Sequence, residues 1–101
     1  MAKKLAPPPV HPGAILREDF MLPFGLSSNA LAIAVGVTAA RINEIVRERR
    51  GITADTALRL ARYFGTDAQS WLNLQQRYEF ECAQDVIGDA LKKIKPLKTA
   101  A

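Results

Sequence analysis

Residues 28–47, SNALAIAVGVTAARINEIVR, narrow the choice of fold sharply. Leu31, Ala32 and Val35 fall on one helical stripe, and Gly36 then interrupts it. After Val37, Thr38 stands where it can cap a second helix, whose apolar stripe is Ile42, Ile45 and Val46. A connection this short forces the two helices to cross steeply, which is the geometry of a helix-turn-helix. Ala32 is small where the helices must touch, and Gly36 accepts a left-handed turn that a β-carbon opposes. Val37 and Ile42 fill the space beneath the turn.

The flanking chain is read around this unit. Residues 1–10, MAKKLAPPPV, form a basic arm ending in prolines that lack backbone donors, so they predict a flexible lead-in. Pro12 suits the first turn of a helix carrying Ile15, Leu16 and Phe20, expected to end near Met21 before the LPFGL loop. Ser27 is the expected N-cap of the next helix. Beyond the charged stop at 48–51, Thr53 caps a fourth helix with Ala57, Leu58, Leu60, Ala61 and Phe64 on its buried face, closed by Gly65. Thr66 and Gln69 have capping-box spacing for a fifth helix. Trp71, Leu74 and Tyr78 line one face of that helix, which can extend through Phe80 and Cys82. In the tail, residues 83–101, Val86, Ile87, Ala90, Leu91 and Ile94 have amphipathic spacing before Pro96. The expected fold is all-α: an arm (1–10), a five-helix domain (11–82) and a tail with room for a sixth short helix.

Composition bounds the function. Forty-nine per cent of the 101 residues are apolar and 24% charged, a globular profile with one modest core. The net charge of +4 and pI near 9.6 favour a polyanionic partner without requiring one. One cysteine, Cys82, allows no internal disulfide and no Cys-rich metal site, and suits a reducing cytosol. No apolar run reaches the roughly 18 residues of a membrane span. His11, the single histidine, has no second ligand nearby and is expected to be exposed. With no Gly-rich phosphate loop, nucleophile–base pair or metal cluster, neither an enzyme nor a cofactor is expected.

Function is instead expected on the outer face of the third helix. With Ile42, Ile45 and Val46 inward, Ala40, Glu44 and Arg47 point outward and Arg41 and Asn43 flank them. A helix-turn-helix offers that face to the DNA major groove. Ala39, Ala40, Arg41, Asn43 and Glu44 are the base-reading candidates: Arg41 can pair with guanine, Asn43 with adenine, Glu44 with the cytosine amino group. Ser27, Ser28, Thr38, Arg47, Arg49 and Arg50 are the phosphate-contact candidates. Glu44 is the exception, an acid that needs a base amino group or a neighbouring arginine. One such helix covers few bases, so a homodimer on a palindromic operator is expected. A face like this on a helical bundle can also be merely solvated, and a protein–protein adaptor of the same fold is the competing class.

Three separated segments, HPGAILREDF (11–20), GITADTALRLA (51–61) and WLNLQ (71–75), resemble the HigA (VapI-type) antitoxins of the Xre helix-turn-helix group. The resemblance covers roughly residues 11 to 80 and implies a lambda-repressor-like fold. It also implies a bacterial, cytoplasmic homodimer that sits on the nucleoid when bound, represses its own operon and neutralises a HigB toxin, a RelE-like mRNA interferase. A stand-alone repressor with no toxin would carry the same residues. By position in the family, the dimer surface falls on the fifth helix, with Trp71, Leu74 and Tyr78 as candidates, while Arg17, Glu18 and the arm are candidates for toxin contact.

Overall fold

A computed structural model describes residues 7–98. The basic part of the arm, Lys3 and Lys4, and the last three residues lie outside the described residues. Among the described residues the architecture is five helices and no strand: α1 (Pro12–Ile15), α2 (Ser28–Val35), α3 (Ala39–Val46), α4 (Ala54–Phe64) and α5 (Ala68–Leu91). α2 and α3 cross over the turn at Gly36, which is left-handed (φ 77°), and α4 packs on α2 and α5. Leu16, Leu31, Ile42, Ile45, Leu60 and Trp71 fill the common core.

α1 does not stop as a plain α-helix. It continues as a π-helical stretch (Leu16–Met21) and a 3-10 turn (Leu22–Phe24) that ends at Gly25 in the left-handed region. At α-helical spacing, residues five apart lie about 140° around the axis. The wider π register turns Leu16 and Met21 to the same side, and both are buried.

Local signals place most helix starts. Ser27, Thr38 and Thr53 cap α2, α3 and α4, their hydroxyls accepting from the backbone N–H of Ala30, Arg41 and Thr56. The fifth cap differs from the expected capping box. Asp67 holds the N-cap position, and Thr66 instead accepts from the Trp71 indole N–H at 2.9 Å. Gln69 bonds Asn73 one turn on. On α4, Leu58 is 63% exposed rather than buried, because Ala57, Leu60 and Ala61 already supply the stripe that faces the core.

Trp71, expected at a dimer surface, is only 2% exposed and stacks on Phe20 inside its own protomer at 5.0 Å. It has no surface left to give to a partner. The tail also differs from a separate short helix. α5 runs unbroken through the 82/83 boundary to Leu91, carries Gly88 inside it and ends well before Pro96, so that Ile94 lies beyond the helix. Packing, however, does change there: from 83 to 98 every residue except Gly88 is exposed.

Candidate nucleic-acid interface

α3 is braced by α2 and α1. At its end, α1 crosses so closely that a Cβ on Gly13 would stand 1.8 Å from the Ile45 carbonyl oxygen. The HPG sequence serves this contact residue by residue. His11 Nδ1 accepts from the Gly13 N–H at 2.8 Å, Pro12 opens the helix and Gly13 admits the backbone of α3. Arg17 then donates to the Val46 carbonyl and pairs with Glu48 at 3.5 Å. Glu48 is the single described non-glycine residue with positive φ (63°), in the left-handed position that closes α3. Gln75, from α5, accepts from the Ile52 N–H at 2.8 Å and fixes the loop into α4.

His11 is therefore not the exposed ring expected of it. It is 4% exposed and meets the edge of Tyr78 at 4.7 Å. Burial lowers its pKa from the ordinary 6.5, while the nearby Glu48 carboxylate acts weakly the other way. Because Nδ1 is the acceptor in the cap, a proton there removes the cap as well. The unfolded chain thus takes up the proton first. Stability is complete above pH 6.5 and falls as the pH drops below it. Denaturant titrations at pH 8, 7, 6 and 5 are expected to show that decline, with a flatter profile in His11→Asn, where Asn can still cap. Equal stability at pH 7 and 5 in the parent protein would rule the effect out.

The outer face of α3 gathers most of the expected site. Ala40 is exposed, while Ala39, Arg41, Asn43 and Glu44 are half-exposed around it. Arg47 and Arg49 follow at the helix end, exposed and with no ion-pair partner among the described residues. Ser27 and Thr38 turn their hydroxyls to helix N-termini, and Ser28 is half-buried. Arg50 is already engaged: its NH2 lies 2.7 Å from Glu44 Oε1, which supplies the partner Glu44 needs. Arg17, a candidate for toxin contact, is likewise committed within the protomer.

Two residues that engage this face were not visible from the sequence. Arg41 reaches across to the first turn of α4, where NH1 pairs with Asp55 at 3.0 Å. The same Asp55 oxygen accepts from Arg59 Nε at 2.8 Å. Arg59 NH1 in turn donates to the carbonyls of Val35 (2.9 Å) and Gly36 (3.2 Å), the last turn of α2. Arg59 first, then Arg41, holds the Asp55 carboxyl below its usual pKa. The i,i+4 spacing of Asp55 and Arg59 hinted at their own pairing, but nothing local indicated Arg41 as a third member.

Two crossed helices over a left-handed glycine, each capped at its N-terminus and the second with arginines on its outer face and at its end, define a helix-turn-helix protein. Residues 17–71 match the helix-turn-helix family model. The chain is 58% identical over 94 residues to virulence-associated protein I of Dichelobacter nodosus, covering 93% of this chain and 86% of that one. It is 32% identical over 89 residues to antitoxin HigA-1 of Vibrio cholerae, covering 88% and 84%. The solved structure of Pseudomonas aeruginosa antitoxin HigA with the higBA promoter is similar at a TM-score of 0.86 and 49% identity, covering 89% of this chain and 99% of that one. The chain belongs to the HigA (VapI-type) antitoxins of the helix-turn-helix family. That is a family of regulators, not of enzymes. No helix among the described residues is long and apolar enough to cross a membrane.

Proposed function

We propose that this chain binds operator DNA as a cytoplasmic homodimer, represses its own operon and is the antitoxin of a HigB-type, RelE-like mRNA interferase. The observation that carries the DNA-binding half is the outer face of α3. There Arg41 stands at the flank and Arg47 and Arg49 at the end, unpaired by any described carboxylate in the case of the last two. The capped N-terminus of α3 adds partial positive charge at the start of that face. The Pseudomonas aeruginosa HigA structure, solved with the higBA promoter, supports the reading. The toxin half rests on family membership.

A second copy is expected on α5. Phe80, Ile87 and Leu91 follow at intervals of seven and four residues and are 63%, 44% and 47% exposed, on the side of the helix opposite Trp71. Pairing there would set two α3 helices against successive major grooves, about 34 Å apart.

A salt titration of binding to the gene's own upstream DNA, beside a scrambled duplex of equal length, tests the proposal. The upstream duplex is expected to bind more tightly. Arg47→Ala should lower the salt slope by about 1 on both duplexes and leave the preference intact. Arg41→Ala should cost about 1–3 kcal/mol at one base position. Equal weak binding to both duplexes by the parent protein would favour the adaptor reading.

A further inference from the structure

We infer that Asp55 is a specificity-determining positioning residue, which sets the edge of Arg41 offered to a DNA base and keeps that arginine from the phosphates. The inference rests on the DNA-binding reading above. Asp55 touches no base in this picture and acts through Arg41.

The geometry supports it in three steps. Thr53 caps α4, so the first turn of that helix, with Asp55 in it, is fixed beside the start of α3. Only NH1 of Arg41 is engaged among the described residues: it pairs with Asp55 Oδ1 at 3.0 Å and reaches Thr56 Oγ1 at 3.5 Å. The Nε–NH2 edge stays open, and its two parallel donors match the O6 and N7 acceptors of guanine. Finally, Arg59 shares the same carboxylate oxygen and clamps the carbonyls of Val35 and Gly36. Arg41 is thereby referenced to the turn itself, so its reading edge moves with the helix pair.

Charge adds a second effect. A free arginine beside a DNA groove bonds a phosphate as readily as a base, and a phosphate carries no sequence information. The Asp55 carboxylate neutralises Arg41 as a phosphate binder and repels the backbone. It therefore lowers affinity for non-cognate DNA more than for a site that offers guanine in the right place.

The test uses fluorescence anisotropy on the upstream duplex, on its single-base-pair variants and on the scrambled duplex. Asp55→Asn is expected to tighten scrambled binding and to reduce the operator-to-scrambled ratio about tenfold, in the range of one bidentate contact. The lost discrimination should fall on the base pair affected by Arg41→Ala, and the double variant should discriminate no worse than Arg41→Ala alone. Asp55→Glu retains the carboxylate and is expected to recover most of the ratio. The Asp55 side chain is 59% exposed, so neither replacement opens the core, and a thermal melt confirms folding. An unchanged ratio in Asp55→Asn, or a loss additive with Arg41→Ala, would overturn the role of Asp55. Absence of operator preference in the parent protein would overturn the DNA-binding reading, and this inference with it.

Discussion

Gly13→Ala is expected to lower the melting temperature by roughly 12–24 °C, the shift that about 3 kcal/mol produces in a domain of this size. The added Cβ would lie 1.8 Å from the Ile45 carbonyl oxygen and 2.8 Å from its carbon. These are backbone atoms of α3, so no side-chain rotation relieves the overlap. α1 must instead lift away, which strains the His11 cap and the Arg17 bond to the end of α3. DNA binding should weaken along with stability, because α1 braces the helix that presents the polar face. Gly88→Ala is the matched control: its Cβ meets nothing within 4 Å, and the change should stabilise α5 by about 0.5–1 kcal/mol. A Gly13→Ala protein that melts within two or three degrees of the parent would show that α1 and α3 are not packed as described.

Ile87→Asp is expected to convert the proposed homodimer to monomers and to weaken operator binding by about 10²–10⁴-fold. That is the usual gain from linking two binding modules. Ile87 lies on the exposed stripe of α5, beyond the part of the helix that packs on α1 and α4, so the protomer should keep its helical signal and its own melting transition. The buried charge would act only where a partner covers it. Sedimentation at matched concentrations, together with binding to a full operator and a half-site, separates the possibilities. Half-site affinity should be unchanged. A dimeric Ile87→Asp protein would move the interface to another face.

The different fates of Trp71 and Ile87 illustrate what periodicity can and cannot deliver. Spacing correctly grouped Trp71, Leu74 and Tyr78 on one face of a helix, but an apolar face is equally suited to the protomer's own core and to a partner. Phe20 and the Thr66 hydroxyl resolve Trp71 in favour of the core. Leu58 is a similar case, since it is as apolar as Leu60 and differs only in which way the helix turns it. That the base-reading candidates share one exposed face was legible because one helix carries them all. Arg50 was equally basic in the sequence, and its commitment to Glu44 follows from the fold of the loop after α3.

Residue order is enough to set the helices, three of their caps and the turn at Gly36, because each depends on neighbours within about four positions. It is also enough to put a polar, cationic face on α3. Only the assembled fold brings His11 against Tyr78, Gly13 under Ile45, Arg17 onto Val46 and Asp55 onto Arg41. Those partners come from different helices, and a pairwise contact between helices leaves no periodic trace in either one. The result is that a ring expected in solvent is a buried cap, and Arg41, a candidate for reading guanine, is held by a carboxylate from the next helix.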